Sequence, residues 1–293
     1  MSAFSTSKPW SAKADGRSVS SNTSDNTARD AQAVLADAIR AARLGGAVDR
    51  AAFGTVEPHQ ASLKSSHQDW NPVTEVDRRS EEAIVAFLAQ AYPHHSFLGE
   101  ENVAGQEHEA EHLWIVDPID GTANFIHGMP HYGVAVGYAH RGTVMVAACL
   151  DPERDELFTA IRGAGAWLNG RPISASPAAR LADALICTGF YYDRGEMMER
   201  TLQAIRRLFQ AKIHGLRRTG SAVLDICWTA AGRFDAFFEY ELGPWDYAAA
   251  SLIAEEAGAR ITAADGSPLS LSSGHVACAA PGLYDEFAAL VRP

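Results

Sequence analysis

Two carboxylates three residues apart follow an apolar run and precede a Gly-Thr pair. Asp117 and Asp120 come after the run Leu-Trp-Ile-Val at 113–116, and Gly121 and Thr122 come next. The apolar run, half of it β-branched, predicts a short buried strand. Because Asp-Pro-x-Asp-Gly favours a turn, both carboxylates are expected at the carboxyl end of that strand. Open α/β sheets carry their chemistry at this end, although a turn alone would also use these residue types.

Further acids stand at the ends of predicted elements. Asp77 lies at the start of a helix, Glu100 follows a short strand, and Asp246 lies at the start of a later helix. Carboxylates that converge cannot all stay ionised without cations, because each raises the pKa of its neighbours. Mg²⁺, which prefers oxygen ligands, would neutralise the repulsion between these carboxylates. The lack of nearby Cys and His argues against zinc. Each acid also has a structural interpretation, as a helix cap or a loop residue.

The Gly-Thr pair adds a second element of chemistry. Backbone N–H groups at Gly121 and Thr122, in a turn that opens a helix, form an anion site. Two metal ions about 4 Å apart beside such a site would activate water and hold phosphate oxygens. The pattern predicts metal-assisted hydrolysis of a phosphate ester, with neither a covalent intermediate nor an organic cofactor. Glu101 is expected in a solvated loop. His94 and His95 are interpreted as polar loop residues and not as metal ligands.

The elements that must position these residues follow from periodicity and turn signals. A helix is predicted from Arg29 to a glycine terminator at Gly45-Gly46, and a second helix begins after Asp77. Strands at 132–140 and 143–150 form a hairpin, and an antiparallel region continues at 157–161 and 166–173. Strands and helices then alternate, with strands at 184–188, 234–239, 260–262 and 276–279, and helices at 196–210, 221–231 and 245–257 and at the carboxyl terminus.

Three parts of the chain follow from this pattern. Residues 1–28 are polar and are expected to form a flexible N-terminal extension. Residues 29–178 form an α+β half that carries the metal-binding motifs. Residues 179–293 form an α/β half, to which the family resemblance described below assigns the substrate pocket and the last metal ligand.

The composition limits the class of protein. The chain is 47% hydrophobic and 21% charged, with a formal net charge of −11. This charge argues against a nucleic-acid partner, since affinity for a phosphate backbone comes from clustered Lys and Arg. The four cysteines lack metal-site or redox spacing and are expected to be reduced core thiols of a cytoplasmic protein. No apolar run approaches the roughly 18 residues of a membrane span, so no membrane association is expected.

Several motifs together resemble the inositol monophosphatase family of lithium-sensitive, Mg²⁺-dependent phosphatases. They are Trp-Ile-Val-Asp-Pro-Ile-Asp-Gly-Thr-Ala-Asn-Phe at 114–125, Gly-Glu-Glu at 99–101 and Pro-Trp-Asp-Tyr-Ala-Ala at 244–249. Segments 163–170 and 216–222 also resemble the family, its bacterial members in particular. The resemblance runs from about residue 29 to the carboxyl terminus. It implies a layered αβαβα sandwich of the inositol monophosphatase and fructose-1,6-bisphosphatase type, usually as a homodimer.

The resemblance also implies a metal site for two to three Mg²⁺ ions. Glu100, Asp117 and the carbonyl of Ile119 would hold one ion, and Asp117, Asp120 and Asp246 a second. A third, weaker ion would lie near Glu100, with help from a mobile loop at Lys64-Ser65-Ser66, residues 64–66.

The implied catalytic residues are Asp77, Thr122 and Glu100. Thr122, hydrogen-bonded to Asp77, would orient the attacking water. The implied substrate-binding residues are Asp120, Gly121, Thr122, Gly220, Ser221, Ala222, Glu239 and Asp246. Glu239 matches the acid that contacts inositol hydroxyls in the family, and its structural interpretation is a surface acid at a strand end.

The expected substrate is a small polyol or sugar monophosphate, inositol 1-phosphate first. The family also includes enzymes for histidinol phosphate, fructose 1,6-bisphosphate, NADP and adenosine 3′,5′-bisphosphate, which stay open as alternatives. A function of another class is a catalytically reduced family member that acts as a regulatory binding protein. The intact set of acids argues against it.

Overall fold

The structure is a computed structural model that describes residues 22–56, 62–63, 72–101, 110–190, 192 and 194–293. Residues 1–21 of the predicted N-terminal extension and the loop at Lys64-Ser65-Ser66 lie outside the described residues. Residues 22–28 are not a flexible extension but the start of a helix. None of the helices in the described ranges combines the length and apolarity that crossing a membrane requires.

A seven-stranded sheet forms the first half, with its strands in sequence order. The first two strands pair in parallel and the others pair antiparallel. The strands are β3 Ser96–Gly99, β4 His112–Asp120, β5 Gly133–His140, β6 Thr143–Asp151, β7 Glu156–Ile161, β8 Gly165–Leu168 and β9 Arg171–Pro172. A separate antiparallel pair precedes them, β1 Ser62–Leu63 and β2 Pro72–Val73.

Two helices, α1 Asn22–Ala52 and α2 Glu75–Ala91, cover one face of this sheet. The predicted end of α1 at Gly45-Gly46 is wrong, because the helix continues through both glycines. A Cβ at Gly45 would lie 2.7 Å from Ile84 Cδ1 of α2, and one at Gly46 would lie 2.7 Å from Leu150 Cδ2 of β6. The glycines therefore allow close packing of α1 against its neighbours instead of ending it.

The second half contains a five-stranded sheet in the order β11-β10-β12-β14-β13. Its elements are β10 Leu185–Thr188, α4 Glu196–Gln210, β11 Gly215–Arg217, α5 Ala222–Ala230, β12 Ala236–Glu239, α6 Pro244–Glu256, β13 Arg260–Ala263, β14 Val276–Ala279 and α7 Tyr284–Val291. The sheet is mixed, since β10 pairs in parallel with β11 and β12 while β14 pairs antiparallel with β12 and β13. The short edge strand β11 is absent from the sequence prediction.

Successive side chains of β4 point to opposite faces of the first sheet and pack against different helices. Trp114 and Val116 of β4 pack in the cluster with α1 and α2, whereas Leu113 and Ile115 pack in the cluster that contains α5 and α6. Residues of α4 and α7 pack on the far face of the second sheet, together with Ile186 of β10. The order is therefore α1/α2, first sheet, α5/α6, second sheet, α4/α7, which confirms the predicted αβαβα sandwich.

The cysteines lie inside these layers. Cys149, Cys187, Cys227 and Cys278 are all buried and free of disulfides. This confirms the interpretation of the cysteines as core thiols.

Candidate active site

Asp117 and Asp120 are among the last residues of β4, which continues through Pro118 and is longer than predicted. Asp117 pairs with Ala135 of β5 and Asp120 pairs with Gly133, with a register shift between the two pairs. The extra residue on β4 forms a bulge, and a bulge changes the direction in which the following side chains point. Both carboxylates are buried at the carboxyl end of the strand.

Asp246 comes to the same place from the second half of the chain. It lies in the first turn of α6, where Gly243 N donates to its Oδ2 at 2.6 Å. One ligand atom each from Asp117, Asp120 and Asp246 lies within 4.8 Å of the others. Burial, followed by the charges of Glu100 and Asp120, raises the pKa of Asp246 well above its usual value. Asp246 is thus both a helix cap and a member of a carboxylate cluster.

The chemistry of this donor set fits a divalent cation. Oxygen is the only kind of ligand atom in the cluster of Asp117, Asp120 and Asp246, as hard cations such as Mg²⁺ require. Repulsion between buried carboxylates raises their pKa values, and a cation at the same position would reverse that effect.

Gly121 separates β4 from the short helix α3, Thr122–Ile126, and has a left-handed backbone with φ 99°. A Cβ here would lie 2.9 Å from Gly220 O and 3.2 Å from His131 O, so the position requires glycine. Because α3 has only five residues, its dipole is small, and any anion binding would depend mainly on the backbone N–H groups.

Thr122 connects this turn to Asp77. Its Oγ1 donates to Asp77 Oδ1 at 3.0 Å and also lies 3.1 Å from Ile119 O. Helix α2 begins earlier than predicted, with Thr74 as its N-cap, and Asp77 Oδ2 accepts from Thr74 N at 2.8 Å. Burial raises the pKa of Asp77. Asp77 can therefore cap α2 through Oδ2 and hold the Thr122 hydroxyl through Oδ1 at the same time.

Ser221 holds Asp120 in position. Ser221 Oγ donates to Asp120 Oδ2, and Val223 N donates to the same oxygen at 2.7 Å. Burial raises the pKa of Asp120 to about 6, although the Ser221 hydrogen bond opposes that rise. Ser221 is also the N-cap of α5. The Ser221 side chain is therefore engaged in hydrogen bonds within the protein. Its neighbours Gly220 and Ala222 line the cavity.

A cavity of about 370 Å³ opens in front of these groups. All predicted site residues except Asp77 and Ser221 line it: Glu100, Asp117, Ile119, Asp120, Gly121, Thr122, Gly220, Ala222, Glu239 and Asp246. Asp77 lies behind Thr122, to which it is hydrogen-bonded.

Aromatic and charged residues missed by the sequence analysis complete the cavity wall. Phe190 and Tyr192 follow β10, Arg218 follows β11, and Trp245 precedes Asp246. Arginine pairs are a usable signal in an acidic chain, and Arg218 is the second of two arginines just before a Thr-Gly-Ser turn. The two aromatics after β10 have no comparable signal.

Glu239, at the end of β12, lines the same cavity as the metal-binding candidates. Burial raises its pKa to about 8, and the charge of Arg218 opposes that rise. Its carboxyl group lies against Gly189, where a Cβ would be only 2.0 Å from Oε2. Glu239 is therefore a residue of the cavity wall and not an isolated surface acid.

Asn124 is a further residue that the sequence analysis did not assign. Its Nδ2 donates to His131 O at 2.7 Å and to Thr219 O at 2.8 Å. These two bonds tie the turn after β4 to the loop before α5. Its place directly after Gly-Thr-Ala is the signal that could have identified it.

One minor prediction is wrong and another is incomplete. His94 and His95 lie in a loop as expected, but the His95 ring also stacks on Tyr92 and His112, and its Nδ1 accepts from Trp114 Nε1 at 3.1 Å. Glu101 is half-buried, and its backbone N donates to Glu81 Oε2 at 2.9 Å.

Comparisons with known proteins agree with this geometry. The sequence profile of the Inositol monophosphatase family matches residues 30–293. An inositol-1-monophosphatase of Rhizobium meliloti is 40% identical over 227 residues, 77% of this chain and 84% of that protein. A protein named Nus factor SuhB from Pseudomonas aeruginosa is 39% identical over 266 residues, 89% of this chain and 97% of that protein.

A solved structure extends the likeness to three dimensions. The inositol monophosphatase from Anabaena superposes with a TM-score of 0.77 at 33% sequence identity, covering 90% of this chain and 96% of its own. With the profile match and the layered fold, this chain belongs to the inositol monophosphatase family and is a phosphoric monoester hydrolase of that family.

Proposed function

We propose that the protein is a Mg²⁺-dependent phosphatase of small polyol or sugar monophosphates, with inositol 1-phosphate as its first substrate. The observation that carries the proposal is the convergence of Asp117, Asp120 and Asp246 within 4.8 Å, beside the hydrogen-bonded pair Thr122–Asp77.

The acids divide into groups with distinct roles. Asp117, Asp120 and Asp246 hold one Mg²⁺ ion, and Glu100 and the Ile119 carbonyl complete the set with Asp117 for another. When bound, these ions activate water and neutralise charge on the phosphate oxygens. The lining of one cavity by all five residues supports this assignment.

Thr122 orients the attacking water. Because its hydroxyl proton is donated to Asp77 Oδ1, its oxygen lone pairs are free to accept an O–H of that water. The backbone N–H groups of Gly121 and Thr122 hold the phosphate. Asp77 keeps the Thr122 hydroxyl in this orientation and is itself fixed by Thr74.

The part of the cavity wall at Glu239 selects the alcohol part of the substrate. Glu239 accepts hydrogen bonds from its ring hydroxyls, while Gly220 and Ala222 border the same space. Inositol 1-phosphate is preferred over histidinol phosphate, NADP, fructose 1,6-bisphosphate and adenosine 3′,5′-bisphosphate because an acid in this wall suits a ring with several hydroxyl donors.

The family resemblance supports further properties of the same protein. They are homodimer formation, inhibition by Li⁺, and a third weak Mg²⁺ site near Glu100. The four free, buried thiols support a reducing compartment, the cytoplasm.

Phosphate release from the five substrates above tests the proposal. We expect turnover to require Mg²⁺, to be highest with inositol 1-phosphate, and to disappear in Asp117→Asn. The matched control Asp265→Asn changes an exposed acid and is expected to retain activity. A higher kcat/KM for another substrate would reject inositol 1-phosphate, and activity in EDTA would reject the metal requirement.

A regulatory binding role is the second candidate. Relatives named Nus factor SuhB or putative Nus factor SuhB are 36–40% identical to the chain, a range that includes the value for the inositol-1-monophosphatase. A folded protein that releases no phosphate from any of the five substrates would favour this role. The intact acid cluster favours the enzyme.

A further inference from the structure

A stack of histidines lies at the opposite end of β4 from the active site. His112, the first residue of β4, pairs with His140, the last residue of β5, and their rings stack at 5.1 Å. His95 stacks on His112 at 4.5 Å with an interplanar angle of 9°. At about 3.3 Å per strand residue, His112 and Asp120 are roughly 26 Å apart. The stack is therefore remote from the phosphate site.

An acid next to the stack completes a group of metal-binding side chains. One ligand atom each from Glu111, His112 and His140 lies within 4.8 Å of the others. His140 Nε2 is 3.6 Å from Glu111 Oε1. Two imidazoles and a carboxylate form a donor set that occurs in transition-metal sites.

Tyr138 orients one of the imidazoles. Its hydroxyl oxygen lies 2.7 Å from His112 Nδ1, which leaves Nε2 as the nitrogen that can take a metal. Metal binding at Nε2 requires the proton on Nδ1, and Tyr138 Oη can accept it. Partners of this kind fix the tautomer and ring orientation of metal-binding histidines.

We propose that Glu111, His112 and His140 form a surface site for a borderline divalent transition-metal ion of the class Zn²⁺, Ni²⁺ and Cu²⁺. Bonds of about 2.0–2.1 Å to a tetrahedral ion place ligand atoms roughly 3.3 Å apart. Small side-chain rotations close the present separation, since these side chains are only partly buried. Mg²⁺ prefers oxygen ligands in near-octahedral geometry, so the two sites select different ions.

A resident cation competes for the carboxylate. Arg141 Nη2 donates to Glu111 Oε1 at 2.7 Å, and the two side chains are 73% and 57% exposed. Ion pairs this exposed contribute little free energy. A metal ion held by two imidazoles can therefore displace Arg141, and removing Arg141 is expected to strengthen metal binding.

Electron paramagnetic resonance of Cu²⁺ bound to the full, untagged chain in excess Mg²⁺ tests the site. Hyperfine coupling to ¹⁴N identifies imidazole ligands, and the acid site offers only oxygen. We expect coupling to two nitrogens in the wild type and to one in His112→Gln or His140→Gln, with none from this site in the double variant. Zn²⁺ affinity by calorimetry is expected to fall about tenfold or more in each single variant.

Two further variants keep the test decisive. Arg141→Gln is expected to tighten Zn²⁺ binding, and His214→Gln, at an exposed histidine outside the stack, is expected to leave it unchanged. Phosphatase activity with Mg²⁺ is expected to stay at the wild-type level in all variants and serves as the check of folding. Two-nitrogen coupling that persists in the double variant, or Zn²⁺ affinity unchanged by it, would overturn the proposal.

Discussion

Replacing Gly189 with alanine tests how the cavity wall selects its substrate. A Cβ at this position would lie 2.0 Å from Oε2, 2.1 Å from Cδ and 2.2 Å from Oε1 of Glu239. Favourable contacts between nonbonded carbon atoms are about 3.5–4.0 Å, so the carboxyl group has to move by on the order of 1 Å. The backbone of Gly189 is outside the left-handed region, and Glu239 is flexible at that end. The fold is therefore expected to accept the change.

The size of the effect follows from the bond that is lost. Because the pKa of Glu239 is raised to about 8, its carboxyl group is neutral at pH 7, and a hydrogen bond between neutral groups contributes about 0.5–1.5 kcal/mol. This corresponds to roughly 2- to 12-fold in kcat/KM. We expect this loss in Gly189→Ala with inositol 1-phosphate. With a phosphate ester that lacks ring hydroxyls, such as p-nitrophenyl phosphate, we expect kcat/KM to change little.

Two variants separate this explanation from general damage. Gly137→Ala places a Cβ at an ordinary 3.5 Å from Ala249 Cβ, and its kinetics are expected to match the wild type. Adding Glu239→Asp to Gly189→Ala shortens the acid by one methylene and is expected to restore part of the selectivity. An equal loss for both esters in Gly189→Ala, or no loss with inositol 1-phosphate, would refute the assignment of Glu239 as the selecting acid.

The remaining predictions concern the buried acids and the hydroxyl beside them. Asp49 is buried, and burial raises its pKa well above 3.8, although the Ser80 hydroxyl opposes that rise. A raised folded pKa means that wild-type stability falls as pH rises above the unfolded value, by at most about 1.4 kcal/mol per pH unit. Urea unfolding at pH 5 and pH 7 should therefore show Asp49→Asn gaining stability relative to the wild type as pH rises, and a difference independent of pH would contradict this. Thr122→Val removes the hydroxyl and is expected to lower kcat by about 10²–10⁴-fold, whereas Thr122→Ser keeps it; equal activity of the two variants in steady-state kinetics would remove the hydroxyl from the mechanism. Asp246→Asn is expected to cost at least about 10²-fold in kcat, with an unchanged circular dichroism spectrum, and near-normal turnover would exclude Asp246 from the metal ligands.

Much of the site could be predicted because its chemistry lies in short stretches of chain. The turn Asp-Pro-x-Asp-Gly follows an apolar run, so the positions of Asp117 and Asp120 at the end of β4 depend on neighbours only a few residues away. The same is true of Asp246 in the first turn of α6. Continuous apolar runs also sufficed to predict most strands, since both faces of each sheet are covered.

Other features depend on contacts between distant residues and carry no local signal. Gly45-Gly46 has the composition of a helix end, but α1 continues because α2 and β6 pack directly against the glycines. Likewise, Gly189 gives no local indication that it borders Glu239. The stack of His95, His112 and His140 requires a loop and two strands to come together.

The sequence by itself determined which chemical groups are present and the local backbone around them: the carboxylates, the turn at Gly121 and the period of the strands. The resemblance assigned Asp77, Glu100, Asp117 and Asp246 to one site, but only the tertiary structure decided how these acids lie relative to one another. Their mutual distances depend on how the layers pack, and so does the burial that raises the pKa values of Asp77 and Asp246. Local propensities act over a few residues, whereas the distance between remote side chains is set by the burial of whole helices and sheets.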